Sequence, residues 1–113
     1  MELNVSSRSQ GDHAIVTATG EIDLYTAPRL HSELAGVIAS AAPASRVTLD
    51  MSGVEFCDST GMNVLLSALR QSGEKNVEFG LAAPRPAVKK ILQVTGLDSV
   101  FTISAEQATV PGK

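Results

Sequence analysis

The chain has 113 residues, a formal net charge of −3 and a sequence pI near 5.2. This length fits a single domain, residues 1–113, and the mild acidity gives no broad attraction for nucleic acid or an anionic membrane. The single cysteine, Cys57, excludes an intrachain disulfide, and no apolar run approaches the roughly 18 residues that cross a bilayer. The N-terminal residues also lack the basic start and apolar stretch of an export signal, so we expect a cytoplasmic protein.

The first half of the chain predicts a hairpin, a helix and a strand. Residues 2–7 and 13–20 are short runs of strand-forming residues, and a Gly-Asp turn signal lies between them. Apolar residues then recur at helical spacing within residues 26–40, and a proline stands in the first turn, where its missing N–H does no harm. Residues 46–52 read as the next strand.

The second half predicts two more helices and two more strands. The first of these helices follows the dipeptide Asp58-Ser59 and ends at Gly73. Its predicted apolar stripe consists of Met62, Leu65, Leu66 and Leu69. A strand over 77–83, a helix over 86–96 that a glycine stops, and a short strand over 100–104 complete the core. We expect the core to span about residues 3–108, with a loose tail after it.

The order of these elements predicts the fold class. Strands that alternate with helices favour right-handed crossovers onto a largely parallel sheet, while the first two strands form an antiparallel hairpin. We therefore expect an α/β fold with a mixed, mainly parallel β-sheet and helices packed against it. In such sheets function gathers at the carboxyl ends of strands, which here are followed by the predicted loops GEIDLYTAP (20–28) and GVEFCDSTG (53–61).

The second of these loops carries more polar groups than a helix start needs. One capping residue would contribute about 1 kcal/mol, but Asp58, Ser59 and Thr60 all stand there. Neither Asp58 nor Ser59 has the Glu or Gln three residues later that completes a capping box. Gly61 weakens the first turn by up to about 1 kcal/mol relative to alanine, and we expect it to leave the backbone open to close approach by another molecule.

The remaining candidates have simpler interpretations. His13 and His31 have no partnered cluster of His, Cys, Asp or Glu around them in the sequence, so we expect no metal site. Cys57, between Phe56 and Asp58, is typical of a small buried residue rather than a nucleophile. Glu21 and Asp23 suggest paired carboxylates, but no base is evident nearby and loop acids are usually solvated. Without a phosphate loop or nucleophile elbow, we expect neither an enzyme nor a cofactor.

Three stretches together carry a family resemblance. The segments GEIDLYTAPRL, DSTGMNVLL and VTGLDSVF, with the strand RVTLDMSGVEF between the first two, resemble the STAS domain, and within it the small stand-alone anti-sigma factor antagonists of bacteria. The resemblance runs from about Leu3 to Ile103. It implies a STAS-like fold and phosphorylation of the serine that directly follows the aspartate, which here is Ser59.

The resemblance also implies an activity. The unphosphorylated protein is expected to bind an anti-sigma factor that is also a serine kinase, so that the sigma factor is released. Phosphorylation of Ser59 would end this binding, and a PP2C-type phosphatase would restore it. Thr60 is the second choice for the modified residue. The expected partner-binding residues are Glu21, Asp23, Asp58, Ser59, Thr60, Gly61 and Asn63.

Two alternatives stay open at this point. The chain could be a STAS scaffold subunit of a larger signalling complex or a regulatory domain associated with a transporter. It could also be a nucleotide-binding module, although the phosphate loop that such modules use is absent. Relatives often have Leu-Gly where this chain has Met62-Asn63, so Asn63 is expected to alter the surface beside Ser59.

Overall fold

The computed structural model describes residues 2–106, and the predicted order of elements is confirmed. The five strands of this region are β1 (Leu3–Gln10), β2 (His13–Ile22), β3 (Arg46–Cys57), β4 (Glu78–Ala82) and β5 (Thr102–Ser104). The helices are α1 (Ala27–Ser40), α2 (Ser59–Glu74) and α3 (Pro86–Val94), and a 3₁₀ turn spans Leu97–Ser99. The expected loose tail lies outside the described residues, as do the last two residues of the predicted core.

The strands form one mixed sheet in the order β1-β2-β3-β4-β5. Strands β1 and β2 pair antiparallel around a turn at Gly11 and Asp12, whereas all other neighbours pair parallel. The predicted α/β class, with a mainly parallel sheet and an N-terminal hairpin, is therefore confirmed. The carboxyl ends of β2 and β3 lie side by side, because Ile22 pairs with Cys57.

Helices α1 and α2 pack against each other and cover the same face of the sheet. Helix α1 contacts β1 and β2, while α2 contacts β3 and β4. Of the apolar residues at helical spacing in α1, Leu30, Leu34 and Ile38 are buried, as predicted, whereas Val37 is only half-buried. Over residues 2–106, no helix combines the length and apolar character needed to cross a bilayer.

The predicted phase of α2 is partly wrong. Its buried residues are Gly61, Met62, Val64, Leu65, Ala68 and Ser72. Leu66 and Leu69, expected in the stripe, are only half-buried at the edge of the core. The inward face follows the series Gly61, Leu65, Ala68 and Ser72, which lie three or four residues apart and therefore on one side of the helix. The helix also continues through Gly73 to Glu74, and the left-handed residue after it is Asn76, with φ of 59°.

Strands β2 and β3 are both longer than predicted. Pairing continues through two irregularities, so that Glu21 lies opposite Phe56 and belongs to β2 rather than to the following loop. Gly20 makes this extension possible: its φ is 112°, and a Cβ there would overlap the carbonyl oxygen of Glu2. The longer strands shorten the two loops that follow them. The first residues of both loops therefore lie at the same end of the sheet.

Candidate functional site

The start of α2 combines a side-chain cap with an exposed hydroxyl. Asp58 is the N-cap, and its Oδ1 accepts a hydrogen bond of 3.1 Å from the backbone N–H of Gly61. Ser59, the first helical residue, is exposed, and within the described region its hydroxyl makes no hydrogen bond. Asn63 is exposed one turn later and shares a face with Ser59, whereas Thr60 is half-buried. Because Asp58 already caps the helix, the Ser59 hydroxyl is free for another role.

The packing around Gly61 inside the protein leaves no room for a side chain. It is buried, and an added Cβ would stand 2.5 Å from Cys57 Sγ and 2.6 Å from Ile22 Cγ2. Real Cβ atoms do not approach other atoms so closely, so any side chain here would push α2 away from the two strand ends. The expectation that Gly61 lies open to another molecule is therefore wrong.

The loop after β2 and the start of α2 are joined directly. The backbone N–H of Asp58 donates to the carbonyl of Ile22 at 3.1 Å, one residue past the Ile22–Cys57 pair. The predicted residues Glu21 and Asp23 flank Ile22 in the chain. The structure thus brings them to the same end of the molecule as Ser59, as the position of both loops at carboxyl strand ends predicts.

Asp23 is buried and organises a tight turn. Only 7% of it is exposed, and its Oδ1 accepts from the backbone N–H groups of Tyr25 at 2.9 Å and Thr26 at 3.0 Å. In return, the Thr26 hydroxyl accepts from the N–H of Asp23 and donates to the carbonyl of Glu21. The interpretation of Asp23 as a solvated loop acid is therefore wrong. The spacing Asp-x-x-Thr was the available signal, because short polar side chains favour such local bonds.

This turn exposes two apolar side chains that no sequence motif marks as functional. Leu24 is 63% exposed and Tyr25 is 87% exposed. Tyr25 borders a shallow depression of about 310 Å³ that Glu2 and Arg29 also line. The sequence contains only one signal for these residues, an apolar pair inside a polar loop, and that pattern alone does not separate a buried pair from an exposed one.

The nucleophilic and titratable side chains near the strands have structural roles. Cys57 is fully buried, and burial, followed by the charge of Asp58, raises its thiol pKa to about 12. The prediction of a small buried residue is confirmed. His13 is buried at the opposite end of β2, with Nε2 3.1 Å from Thr48 Oγ1; burial, and then Arg46, lower its pKa. His31 is exposed, and residues 2–106 hold no group of three or more metal-ligating His, Cys, Asp or Glu side chains.

Comparison with known proteins identifies the family. Residues 4–110 match the family model described as the STAS domain. The chain belongs to the STAS domain family. It is 32% identical over 101 residues to the anti-sigma-F factor antagonist RsfB of Mycobacterium tuberculosis. The aligned region covers 89% of this chain and 80% of that relative.

Solved structures agree with this assignment. A crystal structure of an anti-sigma factor antagonist from Mycobacterium paratuberculosis superposes with a TM-score of 0.81 at 30% identity, covering 91% of this chain and 86% of the other. The anti-sigma factor antagonist SpoIIAA in its unphosphorylated form covers 94% of this chain and 89% of its own, with a TM-score of 0.75 at 20% identity. The phosphorylated form of SpoIIAA, from Bacillus, superposes with a TM-score of 0.68 at 18% identity, covering 94% of this chain and 92% of that chain. At these low identities SpoIIAA shares the fold.

Proposed function

We propose that this STAS domain protein is an anti-sigma factor antagonist whose switch is Ser59. In its unphosphorylated form it binds an anti-sigma factor that has serine kinase activity, and a sigma factor is released. The kinase then phosphorylates Ser59 and ends the binding, and a PP2C-type phosphatase removes the phosphate. The protein acts in the cytoplasm as a binding partner and kinase substrate, with no catalysis of its own.

The observation that carries this proposal is the free, exposed hydroxyl of Ser59 at the first position of α2. Asp58 already caps the helix through its bond to the N–H of Gly61, and the Ser59 hydroxyl makes no hydrogen bond within residues 2–106. A kinase can reach its Oγ without unfolding the helix. Thr60 is half-buried and therefore a poorer substrate.

Electrostatics favours a switch in binding over a switch in folding at this position. A phosphate adds about −1.5 to −2 charge, which the helix N-terminus favours by about 0.3–1 kcal/mol. Across an interface, an unfavourable charge pair about 4 Å apart at an effective dielectric of about 20 costs up to about 4 kcal/mol. Half of that cost weakens binding roughly thirtyfold. Phosphorylation can therefore release a partner while the fold persists.

The relatives support the same function. RsfB of Mycobacterium tuberculosis, 32% identical to this chain, is named an anti-sigma-F factor antagonist. SpoIIAA, which shares the fold, has structures in unphosphorylated and phosphorylated forms, so a phosphate is compatible with this fold.

The partner-binding surface we propose centres on the exposed residues at the start of α2. Ser59 and Asn63 present one face of the helix, Asp58 and Thr60 adjoin Ser59 in the chain, and Glu21 lies at the end of the neighbouring strand β2, opposite Phe56. Asp23 and Gly61 belong to the site through the turn and the packing that hold these residues in position. Asn63 adds a polar side chain next to the serine, which favours a partner with a hydrogen-bonding group at that point.

A phosphorylation assay tests the proposal. The protein is incubated with ATP and the anti-sigma factor kinase isolated from the source cells, and phosphate is located by mass spectrometry. We expect one phosphate on Ser59, full loss of uptake in Ser59→Ala, and normal uptake in the matched variant Thr60→Ala. Phosphate on Thr60 alone would move the switch by one residue. No phosphate, together with a stable assembly of many copies, would favour the scaffold role instead.

A further inference from the structure

Leu24 and Tyr25 are an exposed apolar pair with no role in the core. They are 63% and 87% exposed, and Tyr25 is the only tyrosine of the chain. Single exposed apolar residues are common on protein surfaces and need no explanation. Two adjacent ones at the end of the molecule that carries Ser59 are a more specific observation, because a protein that binds and modifies Ser59 must approach this end.

The backbone beneath the pair is held rigidly. Asp23 Oδ1 accepts a hydrogen bond from the N–H of Tyr25. The Thr26 hydroxyl accepts from the N–H of Asp23 and donates to the carbonyl of Glu21. Tyr25 has only two side-chain torsions, so little freedom remains to be lost when a partner covers it. A rigid, exposed aromatic residue is the type that dominates the affinity of many interfaces.

The surroundings of Tyr25 fit an interface with a protein. Glu2 and Arg29 line the shallow depression beside Tyr25, so that an apolar centre has charged residues of both signs at its border. Interfaces between proteins commonly have this arrangement. Leu24 is two residues from Ile22, whose carbonyl accepts the hydrogen bond from Asp58 at the start of α2. One backbone hydrogen bond thus joins the turn that carries Leu24 and Tyr25 to the start of α2, so a partner that covers Ser59 also approaches this turn.

We propose that Leu24 and Tyr25 are the apolar anchor with which this protein binds its anti-sigma factor partner, inserted into an apolar pocket of that partner. The proposal rests on the proposed function and adds a division of roles. The anchor supplies affinity through the burial of uncharged apolar surface. Ser59 supplies the switch through the charge of its phosphate. Phosphorylation therefore weakens binding without removing the anchor contact.

This division predicts different responses to salt. Screening shortens from about 10 Å at 0.1 M to about 3 Å at 1 M ionic strength, so the effect of a phosphate on binding should shrink as salt is added. The contribution of an apolar anchor should not shrink under the same change. Affinity is measured at both salt concentrations by titration calorimetry with the isolated anti-sigma factor kinase, using the unphosphorylated full-length protein and its Ser59-phosphorylated form.

The decisive variants are Tyr25→Ala and Leu24→Ala. We expect Tyr25→Ala to weaken binding about thirtyfold, the usual loss at a dominant interface residue, at both salt concentrations and by a similar factor in the phosphorylated protein. Tyr25→Phe keeps the ring and should bind within about threefold of the unmodified protein. The matched control is Val94→Ala, because Val94 is 77% exposed and is the last residue of α3, the helix that crosses from the carboxyl end of β4 back towards the start of the parallel strand β5.

The two proposals fail in different ways. If the unmodified protein binds the kinase and is phosphorylated on Ser59, but Tyr25→Ala and Leu24→Ala bind as tightly as Val94→Ala, the anchor is wrong and the proposed function stands. A loss in Tyr25→Ala that vanishes at high salt would also overturn the apolar anchor. If the unmodified protein neither binds the kinase nor accepts phosphate, the proposed function is wrong and the anchor falls with it.

Discussion

The backbone N–H of Asp58 donates a hydrogen bond to the carbonyl of Ile22, and this bond joins the turn after β2 to the start of α2. Ile22 ends β2 and Asp58 follows β3. Because these two strands pair in parallel, the loops that follow them lie at the same end of the sheet. The exposed serine is therefore held in position by the ends of β2 and β3. Substitutions of the buried residues at these strand ends should alter stability, whereas substitutions of the exposed residues should alter binding.

Gly61→Ala tests the packing beneath the site. The added Cβ would stand 2.5 Å from Cys57 Sγ, so we expect a loss of about 1–3 kcal/mol in the free energy of unfolding, measured by urea denaturation. This loss should exceed the gain of up to about 1 kcal/mol that alanine brings to a helix.

Gly73→Ala is the matched control for this experiment. Gly73 lies in the same helix, and a Cβ there would meet no atom within 4 Å, so we expect a gain of about 0.5–1 kcal/mol. Equal effects of the two substitutions would show that Gly61 is not required by packing.

Asp23→Ala tests the turn that presents Leu24 and Tyr25. Because Asp23 is buried and accepts from two backbone N–H groups, its loss should lower the free energy of unfolding by about 1–2 kcal/mol. Asp23→Asn keeps an acceptor oxygen and should lose less. Both are compared by thermal denaturation, and an unchanged melting temperature in Asp23→Ala would mean that the turn is held by other contacts.

Leu65→Ala and Leu66→Ala test the phase of α2. Leu65 is fully buried, so its truncation should cost about 2–5 kcal/mol through the cavity it leaves. Leu66 is half-buried at the edge of the core and should cost clearly less, about 1 kcal/mol. Chemical denaturation of the two variants under identical conditions decides between the observed phase and the one expected from the sequence, in which both residues face inward.

The sequence alone predicts the elements of this fold well, for a local reason. The hairpin turn at Gly11 and Asp12, the stripe of α1 and the left-handed Gly96 after α3 all follow from patterns within a few residues. The position of Ser59 at a helix start follows in the same way, since Asp58 is the cap. Short-range chemistry decides each of these features.

The misinterpreted residues depend on contacts between distant segments. Gly61 must be a glycine because Ile22 and Cys57, from two different strands, converge on it. Glu21 lies in a strand because β3 continues far enough to pair with it. Leu66 is only half-buried, because the side of α2 that packs on the sheet is the one that carries Gly61 and Leu65. None of these relationships is visible in a window of neighbouring residues.

The thiol of Cys57 predicts a dependence of stability on pH. Its pKa is raised to about 12 in the folded protein by burial, followed by the Asp58 charge, from a value near 9.0 in an unperturbed thiol. Above pH 9 the unfolded chain loses this proton while the folded protein keeps it, so stability falls as pH rises, by up to about 1.4 kcal/mol per pH unit. In Cys57→Ala this contribution is absent. The free energies of unfolding of the two proteins, measured by denaturation at pH 8, 9 and 10, should therefore become more alike as pH rises. A difference that stays constant over this range would contradict a protonated buried thiol.

Ser59→Asp tests whether the switch acts through charge on the surface. A negative charge at the first position of α2 is favoured by the helix dipole, so the variant should match the unmodified protein in melting temperature or slightly exceed it. Its binding to the anti-sigma factor kinase should be weaker, although by less than that of the phosphorylated protein, because aspartate carries one charge and a phosphate nearly two. Asn63→Asp is the matched control: it places the same charge one turn further along the same face, outside the helix start. We expect it to weaken binding less than Ser59→Asp does, since it lies further from the modified hydroxyl. Binding of Ser59→Asp as tight as that of the unmodified protein, with both correctly folded, would mean that charge at Ser59 does not control the partner, and the scaffold role would then explain the exposed serine better.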